Sequence, residues 1–221
     1  MSRPPRFFIT PDQVRDVAVT ISGEDARHIA MALRMKAGDE LLLCDGAGTD
    51  YRVKIVRLDR TRIETEIVGR AKREVGYPSI TLGQGLPKSD KMDWIVQKAT
   101  ELGVAAIAPL MTGRTIVKVK DKEKRVARWQ KIAREAAMQS NRPDIPQIEG
   151  IRMFRDFIMT LDPGPSTLFL FPWEEGTEPV KNILREHSEA KNIVVLIGPE
   201  GGFSSSETET AKDRGFHLVS L

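Results

Sequence analysis

The sequence holds one cysteine, Cys44, and three widely separated histidines. A single thiol excludes an internal disulfide, and three scattered imidazoles offer no zinc cluster. No apolar run nears the ~20 residues that a membrane-crossing helix needs. The first residues, Ser2-Arg3-Pro4-Pro5-Arg6, lack the apolar core of a signal peptide. There is no P-loop lysine motif, internal repeat or low-complexity segment. The expectation is a cytoplasmic protein with no metal and no membrane partner.

What is present fits a globular chain with a real core: 221 residues, 40% hydrophobic and 29% charged, enough for one large domain or two modest ones. The net charge is only +3 but is unevenly spread. From Met111 to Arg142 ten Lys/Arg stand against three Asp/Glu, an excess of seven, so the remainder is net acidic. Clustered cations are the footprint of a polyanion partner, although a solvated helix face is the commoner origin of any one charge run.

Residues 1–72 read as a small β-rich unit. Arg6 to Ile9 and Leu41 to Cys44 are short strands, and Glu24 to Leu33 is a helix with His28 on its flank. Tyr51, Val53 and Ile55 alternate with polar residues, as do Ile63, Thr65 and Ile67, so Asp59 to Arg62 closes a hairpin. Several short strands joined by turns suggest a small barrel. Ala71 to Pro78 is a linker, and residues 73–221 alternate strand and helix, which implies a mostly parallel sheet covered on both faces. Ser89 is positioned to cap a helix from Asp90 whose inward residues are Met92, Val96, Ala99 and Leu102, ended by Gly103. Asp121 opens a long helix to Gln139, with Trp129 inward and Lys122, Lys124, Arg125, Arg128, Lys131 and Arg134 outward. Trp94 and Trp129 both sit at helical apolar positions, as core residues do. Phe154 to Leu161 and Val180 to Ala190 are further helices.

Val194 to Phe203 is the stretch that the chain is organised around. An apolar strand breaks at Gly198-Pro199, and a helix restarts after Ser204, where Ser204 and Glu207 have capping-box spacing. Glycines let backbone approach a ligand, and a strand–turn–helix junction favours electron-rich atoms. Glu200 would be out of place in a phosphate cradle but suits a cation or an amino group. A solvated glutamate on a tight corner is the plainer account. In parallel sheets ligands sit at the carboxyl ends of strands, so Phe171-Pro172-Trp173 and Gly198 to Gly202, side by side, would form a pocket.

Arg6-Phe7-Phe8, His28, Leu33-Arg34-Met35-Lys36-Ala37-Gly38-Asp39, Asp45-Gly46 and Tyr51 resemble the N-terminal half of a known family. Gln97 to Val104, Arg128-Trp129, Glu135-Ala136, Gln139-Ser140, Arg142 and Ile197 to Phe203 resemble the rest, in order and nearly end to end. The family is ribosomal RNA small-subunit methyltransferase E, of the SPOUT class, which methylates N3 of a uridine in 16S ribosomal RNA with S-adenosylmethionine. The resemblance implies an α/β protein with an N-terminal PUA-like β-barrel for RNA and a C-terminal SPOUT domain tied in a trefoil knot. It also implies a homodimer acting on 16S ribosomal RNA or the small ribosomal subunit. Two departures stand out. The family usually reads Thr-Glu-Arg-Ser where this chain has Thr112-Gly113-Arg114-Thr115. The family also continues past the position of Leu221 with a Gly-x-Arg-Ile-Leu-Arg-x-Glu-Thr-Ala stretch that closes the knot, so the knot is expected to be incomplete and one wall of the donor pocket missing.

From this resemblance Phe171, Pro172, Ile197, Gly198, Pro199, Glu200, Gly201 and Leu221 are expected around the donor, and Glu200 and Arg114 in catalysis. Uridine N3 is a weakly acidic imide, so its proton must be removed or displaced. RNA contacts are expected from Arg6, Arg34, Lys36, Lys88, Lys91, Arg114, Gln139 and Arg142. The alternatives are a non-catalytic RNA-binding protein with a degenerate donor pocket, and a phosphate-binding metabolic enzyme. Glu200 and the missing P-loop lysine oppose the latter.

Overall fold

The computed structural model describes residues 4–46, 48–72, 77–117, 120–176 and 178–220. The chain divides into two units, residues 1–75 with 137–144, and residues 76–136 with 145–221.

In the first unit the strands are β1 (Arg6–Phe8), β2 (Val14–Arg15), β3 (Ala18–Ser22), β4 (Glu40–Cys44), β5 (Thr49–Leu58) and β6 (Arg62–Lys72). They form one sheet in the order β1-β4-β5-β6-β3-β2, with β1 parallel to β4 and every other pair antiparallel. The period-two pattern is realised directly: Val53 and Ile55 of β5 and Ile63 and Thr65 of β6 are buried, and their polar neighbours face out. The sheet curls over one core of Phe7, Ile9, Val19, Ile21, Leu41 and Leu43, closed by Ala26 and Ile29, giving the PUA-like fold. Met138, from the segment 137–144, packs on that core. The hairpin between β5 and β6 is fixed by Asp59, whose carboxylate accepts from the amides of Thr61 and Arg62. The expected helix from Glu24 to Leu33 divides in two: α1 (Gly23–Arg27) widens into a π-helical turn at His28–Ala32.

The second unit holds β7 (Ser79–Gly85), α2 (Lys91–Leu102), β8 (Ala106–Met111), α3 (Lys122–Gln139), β9 (Gln147–Ile148), β10 (Arg152–Met153), α4 (Phe154–Thr160), β11 (Thr167–Pro172), β12 (Glu178–Pro179), α5 (Val180–Glu186), β13 (Asn192–Ile197), α6 (Ser205–Asp213) and β14 (His217–Ser220). Only the last residues of α3 belong to the first unit. The sheet runs β10-β8-β7-β13-β11-β14-β12, with β9 beside β8, and every pairing is parallel. Successive strands first move outward from β7 through β8 to β10. They then resume on the far side of β13. The order therefore reverses at β7 and β13, and the carboxyl ends of these strands are where such a sheet offers a crevice.

Several helix expectations need correction. Met92, Val96 and Ala99 of α2 are buried as expected, but Leu102 is 86% exposed because the helix ends there, where Gly103 takes φ +109°. Trp94 is 62% exposed and not a core residue, whereas Trp129 is buried and donates its indole N–H to Asp93 at 3.0 Å. Ser89 does not cap α2. It adopts a left-handed φ of +57°, and the N-cap is Asp90, which makes no side-chain capping bond. Finally, α5 stops at Glu186, short of Ala190.

Candidate functional site

The turn after β13 is shaped by its glycines and pinned at both ends. A Cβ on Gly198 would lie 3.0 Å from the backbone of Gly202, so the chain can double back this tightly only with hydrogen there. A Cβ on Gly85, at the end of β7, would come within 2.5 Å of the Pro199 ring, so the β7 strand end presses directly on the turn. Phe203 anchors the far side. It is buried, with its ring centroid 4.7 Å from that of Phe171 and 5.2 Å from that of Phe154. The capping box then starts α6: the Ser204 hydroxyl accepts from the Glu207 amide, and the Glu207 carboxylate accepts from the Ser204 amide at 2.8 Å.

Two carboxylates tie this turn to the neighbouring loops. Glu200 accepts from the Lys88 amide at 3.1 Å and from Lys91 Nζ at 2.6 Å, reaching the loop after β7 and the first residue of α2. Glu207 uses its other oxygen on the Gly113 amide at 2.7 Å, reaching the loop after β8. Arg114 in that loop donates back to the Gly201 carbonyl at 2.6 Å. Beneath them Gln84 is buried and donates to the Gly85 carbonyl at 2.9 Å, with the carbonyls of Ile197 and Gly198 3.3–3.4 Å away. Gln84 escaped sequence reasoning, because β7 also carries Ser79 and Thr81 and its amide did not stand out.

The electrostatic consequence falls on Glu200. The Lys91 ammonium, followed by backbone N–H donors including that of Lys88, holds its carboxyl down to about 2, far below the usual value of 4.5. Glu200 is therefore a fixed anion at neutral pH. In front of the turn lies a cleft of about 470 Å³ lined by Leu86, Lys88, Arg114, Ile116, Pro199, Glu200 and Gly201. That volume is within the range of ligand sites, and the lining mixes apolar walls with a few fixed charges.

Of the expected site residues, Glu200, Arg114, Lys88, Lys91, Pro199 and Gly201 meet at this cleft or on its rim. Ile197 and Gly198 lead into the turn, and Phe171 and Pro172 end the adjacent strand β11. The Phe171 ring is fully buried against Phe203 and Trp173, so its side chain is core. Leu221 lies outside the described residues.

A family model described as an RNA methyltransferase domain matches residues 76–221, and one for an RNA methyltransferase PUA domain matches residues 21–68. The chain is 31% identical to the ribosomal RNA small subunit methyltransferase E of Synechocystis over 98% of its own length and 70% of that protein. It belongs to that family. The Bacillus subtilis member is 29% identical, over 92% of this chain and 83% of the relative. Among solved structures, the Neisseria gonorrhoeae ribosomal RNA small subunit methyltransferase E bound to S-adenosyl methionine superposes with a TM-score of 0.85. It shares 29% identity and covers 99% of this chain and 89% of the other.

Within this methyltransferase family chain, the remaining basic residues are placed as follows. Arg6 is nine-tenths buried and faces Asp50 at 3.6 Å inside the first unit. Arg34 is exposed, at φ +53°, and leads into a turn where the Lys36 amide donates to Asp39 at 2.7 Å. Gln139 is exposed at the end of α3. Arg142 is 8% exposed and paired with Asp144, and its amide donates to the Ala137 carbonyl. Arg6 and Arg142 thus both have partners within the fold.

Proposed function

We propose that this chain transfers a methyl group from S-adenosylmethionine to N3 of a uridine in the 16S ribosomal RNA of the small subunit. In this reading residues 1–72 form the RNA-binding domain and residues 73–221 the methyltransferase domain. The family resemblance adds a homodimer with a second domain of the SPOUT class, and the expected setting is the cytoplasm. The carrying observation is the Gly198–Gly202 turn, locked between the loops after β7 and β8 with a cleft before it, in a chain whose family relative binds S-adenosyl methionine.

The residues fit such a donor. Leu86, Ile116 and Pro199 offer apolar surface to a purine, and Glu200 supplies negative charge near a cationic sulfonium or amino group. Ile197 and Gly198 lead into the turn, and Phe171–Pro172 end the neighbouring strand β11. The bound donor supplies an electrophilic methyl group, and the chain's own residues orient and polarise its surroundings.

Glu200 is a poor candidate for removing the N3 proton, because a carboxyl held to about 2 is a weak base at neutral pH. Arg114 is the better catalytic group. An imide losing its proton spreads negative charge onto its flanking carbonyl oxygens, and a guanidinium at the cleft stabilises that charge as it develops. Lys88 adds to the same field. A paired uridine has first to be turned out of its stack to reach the cleft. The outward cations of α3 supply salt-sensitive attraction to phosphate.

The test is radiolabelled methyl transfer to unmodified small subunits followed by nucleoside analysis. Label recovered as 3-methyluridine is the expected outcome. RNA binding without label, and without donor binding, would replace this reading with the non-catalytic RNA-binding module.

A further inference from the structure

We propose that Lys91 is a positioning residue for the donor turn: through its ion pair with Glu200 it clamps the Gly198–Gly202 turn against the first turn of α2. The proposal rests on the donor-site reading above and assigns Lys91 work on the protein itself, not on RNA. The observations are geometric. Lys91 Nζ lies 2.6 Å from Glu200 Oε1, and the Lys88 amide closes on the same carboxylate at 3.1 Å. On the opposite side Arg114 grips the carbonyl of the next residue, Gly201, at 2.6 Å. Two consecutive residues of one turn are therefore held from two different loops, one through a side chain and one through a backbone carbonyl.

Such a double grip matters because the turn's own closure is one backbone bond, from the Gly202 amide to the Pro199 carbonyl at 2.8 Å. The turn contains three glycines, Gly198, Gly201 and Gly202, and Gly202 sits at φ +67°. Pro199 and buried Phe203 fix the ends. Between them the Glu200 carboxylate takes its own backbone N–H and otherwise crosses to α2 and its preceding loop. An exposed ion pair contributes little to global stability, as the 61% exposure of the Lys91 side chain implies. Its effect is local, since it selects one arrangement of a glycine-rich turn. A pre-ordered turn binds ligand without the cost of ordering it at that moment.

The experiment is a double-mutant cycle with Lys91→Met, Glu200→Gln and the double variant, plus Lys91→Arg. It reads two quantities: amide hydrogen exchange at Gly201 and Gly202 without ligand, and donor affinity by calorimetry. Lys91→Met is expected to speed exchange at both glycines and weaken donor binding roughly three- to tenfold, as expected for one charge-assisted contact. Lys91→Arg is expected to restore both. The single variants should not add in the double, because each removes the same contact. A Lys91→Met protein with parental exchange and parental donor affinity overturns the proposal, and so does full additivity. If the parent chain itself binds no donor while exchange still responds to Lys91→Met, the clamp stands and the donor reading fails. If donor binds but exchange is unmoved, the reverse holds.

Discussion

At the scale of single residues, charge decides most of what happens around the turn. Arg114 is the only guanidinium lining the cleft among the described residues, and it already uses one N–H on Gly201. Replacing it by Ala is expected to lower turnover by roughly 10²–10³-fold, the size of losing one preorganised donor, with a smaller effect on donor affinity. Single-turnover kinetics on unmodified subunits check this. Glu200 makes a pH prediction. Its carboxyl titrates near 4.5 when unconstrained and at about 2 in the fold, so its stabilising contribution is complete above 4.5 and lost as pH falls toward 2. Protection of the Gly201 and Gly202 amides from exchange in the parent and Glu200→Gln should therefore differ most above pH 4.5 and converge as the pH approaches 2. A gap that widens on acidification would show that the carboxylate is not held by these partners.

At the scale of elements, the prediction concerns close packing at strand ends. Gly85→Ala drives a methyl group into the Pro199 ring, where the approach of 2.5 Å cannot be relieved by a flexible side chain. The expected cost is about 1–3 kcal/mol, as for other overpacked sites, with donor binding lost in step. Chemical denaturation beside donor calorimetry measures both. Trp129→Ala should cost more, about 3–5 kcal/mol, since it opens a cavity and removes the indole hydrogen bond to the half-buried Asp93, which keeps its ion pair with Arg128.

Elements also show what could be read beforehand. The Ser204–Glu207 capping box, the Gly103 stop and the alternating strands β5 and β6 were legible because each is a local rule of a few residues. The two-residue strands β2, β9, β10 and β12 were not, because two residues carry no period. Trp94 failed for a related reason. Its spacing matched the inward face, but only tertiary packing decides how wide that face is, and α2 buries a stripe that stops short of it. The cleft was half legible. The turn announced itself, whereas the partner of Glu200 lies 109 residues away and no local rule could name it. Arg6 and Arg142 were expected as RNA contacts; in the fold Arg6 pairs with Asp50, across the sheet, and Arg142 with Asp144, two residues on.

At the scale of the whole molecule, an RNA partner predicts salt dependence. The exposed cations of α3, among them Lys122, Lys124 and Arg128, should make affinity for small subunits fall steeply with ionic strength. Reversing Lys122 and Lys124 to Glu should flatten that slope by roughly one contact each, leaving donor affinity unchanged. Equilibrium binding at several salt concentrations is the check.

The strand order of the second unit has a consequence for how the protein is made. β7 is hydrogen-bonded to β13, and the paired residues Gln84 and Ile197 are 113 positions apart. During synthesis β7 therefore emerges long before its inner neighbour exists, and must wait with one edge open while the intervening helices and strands are added. The first unit waits too, since it includes residues 137–144. Such long-range pairing slows folding and leaves strand edges exposed to wrong partners. The second unit of the nascent chain should accordingly stay protease-sensitive until β13 has left the exit tunnel, whereas the first should become resistant earlier, once residues 137–144 are out.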